Sequence, residues 1–328
     1  MIEVKLYHRD QKNDWDALVS EGKNTSFLFY RDFMEYHSDR FHDFSLTFWE
    51  NNRLLAAMPA NKVGDEVYSH QGLSYGGFML QKETKMMKII EVLHGALHFL
   101  AEQNVTQLTL KAFPRIYNTV PADELDWALT QCDANLYRRD STLAIASGGR
   151  LKYQSRRTRS IKAARKLNPR ISPGNYVSEL EVFWKDVLIP NLVARHGVEP
   201  VHRIDEISRL MDIFPKHIQH YNVYVGDKVM AGATMFINEN VAHAQYISGT
   251  EEGRRNGCLD YLFDSLITQK FATHTYFDFG NSNEDQGRAV NVGLLDWKEG
   301  FGARAISHDF YRINPENFNL LKKFIPDD

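Results

Sequence analysis

The most unusual feature of this sequence is a stretch of positive charge near its middle. Residues 150–170 contain nine lysines and arginines and no aspartate or glutamate. A solvated helix face normally places glutamate at i+4, which relieves the repulsion between like charges. Unrelieved positive charge indicates an anionic ligand, most often phosphate. We therefore expect phosphate contacts from this stretch, with a solvated face as the alternative; the candidate residues are Arg156, Arg157, Arg159 and Lys162.

A second candidate is the segment 248–257, which contains three glycines and two arginines between a predicted strand and an amphipathic helix. Small residues let the backbone approach a ligand closely, and free N–H groups at the start of a helix can bind a pyrophosphate. The alternative is that a turn between a strand and a helix takes glycine for its own geometry. This segment is our candidate for holding a phosphorylated donor.

Two further residues have side chains suited to catalysis. Asp278 ends a predicted strand, and the period of two places it opposite Phe277 and Phe279. It is a candidate general base or ligand anchor, or else a cap for the following turn. Lys298 stands among aromatic residues and glycines and can stabilise negative charge on a carbonyl oxygen, or it is a surface lysine.

Hydrophobic periodicity predicts the elements that position these residues. Two segments show the same order of three strands, a helix and a strand, at a nearly constant spacing. The first has strands at 44–49, 54–62 and from 67, a helix at 84–104 and a strand at 107–112. The second has strands at 221–225, 229–237 and 241–248, a helix at 257–271 and a strand at 276–279. Between them, a basic helix is predicted over 155–167, stopped by Asn168 and Pro169.

Length and composition limit the class of protein. The 328 residues suit two domains, which we place at 1–150 and 151–328, and 43% hydrophobic residues exclude a disordered chain. A net charge of −3 argues against DNA as a partner of the whole molecule. The two cysteines are too few for a disulfide framework or a cysteine zinc site, so we expect no metal. The absence of a signal-like start and of a long apolar run favours a cytoplasmic location without a membrane span.

The chain resembles the FemAB-like acyltransferases, a branch of the GNAT superfamily built from two tandem GNAT-like units. The resemblance is based on the order and spacing of five segments, 155–166, 226–234, 248–257, 277–280 and 297–302. It implies an α/β fold of mixed sheets, in which each unit is a mainly antiparallel sheet flanked by helices. One departure is Leu259, which occupies the last position of the GNAT phosphate-loop pattern Arg-x-x-Gly-x-Gly/Ala.

The resemblance also implies a function, namely transfer of an acyl or aminoacyl group from a donor such as acyl-CoA to an amine. By analogy Lys298 neutralises the reacting carbonyl. Acyl transfer also needs a base that deprotonates the amine, and our candidate is Asp278, assisted by Tyr246. The donor would be held by Gly253, Arg254, Asn256, Gly257 and Asn281. The acceptor would be a small-molecule amine or a cell-wall precursor. Two alternatives remain open: a peptidoglycan-precursor ligase that uses aminoacyl-tRNA, and a catalytically silent module that binds a phosphorylated ligand.

Overall fold

The computed structural model describes residues 2–325, except for the side chains of residues 195 and 196, and the chain divides into two compact units. The first contains residues 2–140 and 307–325, and the second contains residues 141–306. The expected boundary at 150, with everything beyond it in the second unit, therefore differs from the structure. The reason is a strand near the C-terminus, whose residues Phe310 to Ile313 pair with Lys111 to Leu108 of the first unit.

The chain forms short and long strands in both units. They are β1 (Glu3–Leu6), β2 (Leu46–Glu50), β3 (Arg53–Met58), β4 (Asn61–Val63), β5 (Glu66–Tyr68), β6 (Met79–Leu80), β7 (Gln107–Lys111), β8 (Asn135–Ala146), β9 (Arg170–Ile171), β10 (Ile218–Val225), β11 (Lys228–Ile237), β12 (Val241–Gly249), β13 (Tyr276–Asn281), β14 (Asn283–Glu284), β15 (Ala289–Val290) and β16 (Arg304–Ile313).

Helices alternate with these strands along the chain. They are α1 (Lys12–Glu21), α2 (Arg31–Met34), α3 (Met86–Glu102), α4 (Glu124–Gln131), α5 (Ser155–Arg165), α6 (Val177–Phe183), α7 (Ile189–His196), α8 (Ile204–Ile213), α9 (Glu251–Arg255), α10 (Cys258–Ser265), α11 (Val292–Glu299) and α12 (Phe318–Leu321). Within the described residues, no helix combines the length and apolarity needed to cross a bilayer.

In the first unit, β1, β2, β3 and β6 form an antiparallel sheet in that order. β4 pairs with β5, β5 runs parallel to β7, and β7 pairs with β16. The predicted strand 54–62 is two strands here, β3 and β4, because Pro59 lies between them and has no N–H to donate to a ladder. The apolar face of α3 is buried in the core of this unit, as its periodicity predicts.

In the second unit, the strands follow the order β8, β13, β12, β11, β10, β9. All neighbours are antiparallel except β12 and β13, which are parallel. The core on one face of this sheet contains Phe277 and Phe279 of β13 together with Leu262 and Phe263 of α10. The predicted order of strands and helix is therefore observed, and α10 continues as a wider helical turn over Leu266–Lys270.

The predicted basic helix is α5. Ile161 and Ala164 are buried, whereas Arg159, Lys162 and Arg165 are exposed, as the pattern of the sequence indicates. The helix packs against α10: a Cβ atom added at Gly257, the N-cap of α10, would lie 2.4 Å from the carbonyl oxygen of Ser160. Gly257 also has a φ of +75°, so both its backbone conformation and this close approach require glycine.

Candidate functional site

The parallel strands β12 and β13 stay together for only three residues each. Val241, Ala242 and His243 pair with Tyr276, Phe277 and Asp278. After these pairs β12 continues to Gly249 alongside β11, whereas β13 next pairs, at Asn281, with Thr142 of β8. The ladder between the two strands therefore ends at His243 and Asp278. We call the region beyond this point, between β12 and β13, the wedge, and His243 and Asp278 mark its narrow end.

Asp278 is 2% exposed, and both of its carboxylate oxygens are hydrogen-bonded. Oδ1 accepts from the hydroxyl of Thr142 and, at 2.9 Å, from the backbone N–H of Gly280. Oδ2 lies 2.8 Å from Nδ1 of His243. Burial alone would raise the pKa of the Asp278 carboxyl, but the electrostatic effect of the neighbouring His243 and these hydrogen bonds hold the pKa below its usual value. Asp278 is therefore a carboxylate at neutral pH.

Gly280 lies against the ring of His243. Its φ is +72°, and a Cβ atom added there would lie 3.2 Å from Cε1 and 4.0 Å from Nε2 of that ring. Glycine therefore serves two purposes, a left-handed backbone conformation and room beside the imidazole edge.

This double requirement gives a testable result for Gly280→Ala. The left-handed conformation should cost about 1–2 kcal/mol of stability. The new methyl should push the His243 ring, which should lower the rate of the acyl or aminoacyl transfer that the sequence resemblance implies. Gly226→Ala is a matched control, because Gly226 has a φ of +57° but no atom within 4 Å of an added Cβ. Urea unfolding should show similar losses of stability in the two variants. Rate measurements should show a loss of rate only in Gly280→Ala. Equal rates in the two variants would contradict this account of Gly280.

Lys298 extends from α11 to the same end of β13. Its side chain is 2% exposed, and Nζ donates to the carbonyl oxygens of Gly280, at 3.0 Å, and of Asn281. Burial lowers the pKa of Lys298 to about 8, and the negative charge of Asp278 opposes part of that effect. An ammonium has three hydrogens, so two are bonded to these carbonyls and one remains to donate elsewhere. The sequence-predicted residues Lys298, Asp278 and Asn281 therefore lie together.

Tyr246 stands farther along β12, on the same face as His243. Their partners on β11, Thr234 and Phe236, are two residues apart, because a bulge at Gln245 adds one residue to β12. Tyr246 is 8% exposed, and its hydroxyl lies 2.5 Å from Nδ1 of His202. Its ring also packs edge-on against Trp184. Tyr246 is thus held by His202 and Trp184, beyond the narrow end of the wedge.

The segment predicted to hold phosphate lies at the far end of β12. Six residues separate His243 from Gly249, which corresponds to about 20 Å of strand. The backbone N–H groups of Gly253, Asn256 and Gly257 are bonded within the chain, to Thr250 Oγ1, Glu252 O and Arg254 O. The Arg254 guanidinium donates to Asn191 Oδ1, at 2.8 Å, and to the carbonyl of Gly249. These three amides are therefore already bonded within the chain, and the first turn of α10 begins directly after Gly257.

The basic residues of α5 fall into two groups. Arg157 is buried, and its Nη1 lies 2.7 Å from both carboxylate oxygens of Asp260 on α10. Arg156 pairs with Asp296 of α11, and Arg165 pairs with Asp264 at 2.9 Å. Arg159 and Lys162 are exposed and make no ion pair with any residue of the described chain. Part of the charge run is therefore balanced by acids of α10 and α11, which the sequence pattern alone does not reveal.

The corresponding parallel pair of the first unit does not separate. After Tyr68 and Thr109, the loop from Ser69 stays bonded to β7: Lys111 N–H donates to Ser69 Oγ at 2.8 Å, and Gly76 N–H donates to the carbonyl of Lys111 at 3.1 Å. A Cβ atom at Gly76 would lie only 1.9 Å from the Ser69 carbonyl oxygen. Lys111 itself donates to three carbonyls of this loop. This loop therefore occupies the position in the first unit that corresponds to the wedge in the second unit.

Sequence reasoning did not single out His243, Thr142 or His202. A signal for His243 exists, since it is the polar residue between two alanines in a predicted buried strand. Its contact with Asp278 depends on the parallel register of β12 and β13, which a single sequence does not give. Leaving aside the side chains of residues 195 and 196, no group of three or more histidine, cysteine, aspartate or glutamate side chains in residues 2–325 is arranged to hold a metal ion.

Comparisons with known proteins identify the architecture. No family model matches the sequence, and no curated protein matches it. Among solved structures, FemX aligns with a TM-score of 0.66 at 11% identity, over 97% of this chain and 99% of its own. L-PGS from Bacillus licheniformis aligns with a TM-score of 0.60 at 11% identity, over 99% of both chains. A tandem GNAT protein from the clavulanic acid biosynthesis pathway aligns with a TM-score of 0.50 at 11% identity, over the whole of both chains.

These alignments cover nearly the whole chain at identities too low to show more than the fold. They agree with the mixed, mostly antiparallel sheets and flanking helices described above. The chain has the FemAB-like tandem GNAT fold that its sequence motifs indicate.

Proposed function

We infer that the second unit transfers an acyl or aminoacyl group to an amine, with the reacting carbonyl at the narrow end of the wedge. The observation that carries this inference is the buried ammonium of Lys298, which has one hydrogen left to donate beside Asp278. In the first unit, the loop from Ser69 stays bonded to β7 at the corresponding place, which supports assigning the reaction to the second unit. FemX, L-PGS and the tandem GNAT protein share the fold, which supports the class of reaction by analogy.

The chemistry follows from where charge develops. The amine nitrogen attacks the carbonyl carbon, a C–N bond forms, and the carbonyl oxygen becomes negative. Lys298 donates a hydrogen bond to that oxygen, and a preformed donor in a water-poor site stabilises it strongly. The bond from carbon to the thiolate of CoA, or to the ribose oxygen of tRNA, then breaks. The amine loses one proton and the leaving group gains one, so the step is balanced.

Acyl-CoA is one donor that this geometry can hold. Its thioester and pyrophosphate are separated by an extended arm, comparable with the length of β12 from His243 to Gly249. Because the amides of Gly253, Asn256 and Gly257 are bonded within the chain, phosphate would contact the first turn of α10 and the Arg254 and Asn256 side chains instead. Gly253 and Gly257 then act by letting Met230 and Ser160 approach closely rather than by touching the donor.

Aminoacyl-tRNA is the second donor, and one observation favours it. Arg159 and Lys162 are exposed cations without an ion pair in the described chain, on the helix that packs against α10. Cations of this kind suit the phosphates of a polynucleotide. The acceptor in this case would be an amine of a small molecule or a cell-wall precursor.

A binding screen tests the proposed function directly. Melting temperatures are measured with acetyl-CoA, a longer acyl-CoA, a UDP-sugar and a short RNA hairpin, and transfer of labelled acyl groups to amines is measured with any ligand that stabilises. A ligand at 100 times its Kd stabilises the fold by about 2.7 kcal/mol, which is easily detected. Stabilisation by a donor together with transfer supports the function. Stabilisation without transfer would favour a silent binding module.

The dependence of binding affinity on salt concentration distinguishes aminoacyl-tRNA from acyl-CoA as the donor. If α5 contacts RNA, log Kobs should fall linearly with log salt, and Arg159→Ala with Lys162→Ala should reduce the slope by about 0.7–0.9 for each cation removed. Arg165→Ala is the control on the same helix, because Arg165 is paired with Asp264. Fluorescence anisotropy of a labelled hairpin measures the slope. A slope that does not change in the double variant would exclude this surface as the RNA contact.

The pKa of Lys298 predicts the alkaline side of the pH profile. Burial lowers this pKa to about 8, so the ammonium is present below pH 8 and is lost as the pH rises through that value. Because the cation is the active form, the single-turnover rate at saturating amine should fall above pH 8. A rate that keeps rising from pH 7.5 to 9.5 would show that the cation is not required.

A further inference from the structure

We propose that His243, oriented by Asp278, accepts the proton that the attacking amine loses, and that Asp278 does not touch the amine. This role depends on the acyl transfer inferred above and assigns its proton acceptor. The sequence offered Asp278 for this task, because an acid at the end of a strand is a common general base. The contacts at the narrow end of the wedge favour the imidazole instead.

The carboxylate of Asp278 is closed off from a substrate. It is 2% exposed, and its oxygens accept from Thr142, from the backbone of Gly280 and from His243. An amine would have to displace one of these donors to reach it. A buried carboxylate bonded to one ring nitrogen of a histidine is the arrangement that orients an imidazole and stabilises its protonated form.

The other ring nitrogen of His243, Nε2, has no hydrogen-bond partner among the described residues. An ionised carboxylate only accepts hydrogen bonds, so Nδ1, 2.8 Å from Asp278 Oδ2, carries the hydrogen and Nε2 is bare in the neutral ring. The His243 side chain is 15% exposed, against 2% for Asp278. The missing side chain of Gly280 leaves space along the Cε1–Nε2 edge. Nε2 is therefore the basic atom that an amine in the wedge can reach.

The proton is transferred from the amine to His243 and then from His243 to the leaving group. As the C–N bond forms, Nε2 takes one proton from the amine nitrogen, and the imidazolium lies beside the Asp278 carboxylate. As the bond to the leaving sulfur or oxygen breaks, Nε2 returns that proton to it, and the ring is neutral again. Among the described residues, Asp278 of β13 bonds the His243 ring, Lys298 of α11 interacts electrostatically with Asp278, and Tyr246, bonded to His202, lies on the same face of β12 as His243. Lys298 stabilises the oxyanion during the same step, so the two residues act on different atoms.

The first test does not depend on knowing the substrate. Long-range 1H–15N NMR spectra of histidine-labelled protein should show the neutral His243 ring with its hydrogen on Nδ1, and Asp278→Asn should change this tautomer. The signal is assigned by its absence in His243→Gln. A hydrogen on Nε2 in the wild type would overturn the proposal, because that nitrogen could not accept the proton.

The second test measures the reaction as a function of pH, with acetyl-CoA or alanyl-tRNA as the donor and glycinamide as the amine. His243→Gln should lower kcat by about 10²–10³-fold at pH 7, and the deficit should shrink as the pH rises, because more of the amine is then already deprotonated. His217→Gln is the control, since His217 is a half-buried histidine of the same unit that bonds a backbone carbonyl. No deficit, or one that is constant with pH, would overturn the proposal. A wild type without transfer would instead contradict the function, while the NMR result would still decide the orientation of His243.

Discussion

Lys298→Met is expected to lower kcat by about 10²–10³-fold while the protein stays folded. This is the loss found when one preformed oxyanion donor is removed. Methionine has a similar length and is apolar, so the buried site loses a desolvated charge and its two bonds to the carbonyls of Gly280 and Asn281. The rate should be measured under single-turnover conditions, so that product release does not mask the chemical step.

A half-buried lysine of the first unit provides the control for this variant. Lys111 of the first unit also has a pKa lowered to about 8, mainly by burial, and also donates to backbone carbonyls. It lies where the loop stays bonded to β7, so Lys111→Met should cost stability without a comparable loss of kcat at temperatures where both variants are folded. Equal kcat values in Lys298→Met and the wild type would remove Lys298 from the mechanism.

Arg157→Ala is expected to destabilise the second unit by about 3–5 kcal/mol. Arg157 and Asp260 are both buried, and Asp260 also accepts from Trp297 Nε1 at 2.7 Å. Removing the guanidinium leaves a buried carboxylate with only the indole as a partner, and an uncompensated buried charge is costly. Equilibrium unfolding in urea measures the change.

The exposed cations of the same helix should behave differently. Arg159→Ala and Lys162→Ala replace exposed residues without ion pairs in the described chain, so their stability should change by less than about 0.5 kcal/mol. The difference in stability between Arg157→Ala and the two exposed variants would distinguish a structural arginine from surface cations on the same helix. If Arg157→Ala instead keeps full stability and loses affinity for a phosphorylated donor, Arg157 belongs with the ligand contacts as the charge pattern first suggested.

Local patterns predict much of this fold. The amphipathic period of α10, the alternation in β13 and the stop at Asn168 and Pro169 after α5 are each contained within a few residues. The opposite faces of Asp278 and Phe277 follow from the same alternation. Such features depend on neighbours along the chain, so a single sequence is sufficient for them.

Contacts between residues far apart in the chain could not be predicted from the sequence pattern. Arg157 and Asp260 are 103 positions apart, and His243 and Asp278 are 35 apart in two strands whose register is not encoded locally. The division of the units was misplaced because β16 returns to pair with β7. Lys298, Asp278 and Asn281, which the sequence pattern singles out, lie together, whereas the contact of His243 with Asp278 required the structure.

We propose that the reacting carbonyl lies at the narrow end of the wedge in the second unit. A crystal structure with acetyl-CoA, or with a non-hydrolysable aminoacyl-RNA analogue, tests it most directly. The carbonyl oxygen is predicted to lie about 3 Å from Lys298 Nζ, with His243 Nε2 facing the side from which an amine approaches. A donor bound along the loop from Ser69 in the first unit, or a carbonyl beyond hydrogen-bond reach of Lys298, would contradict the account.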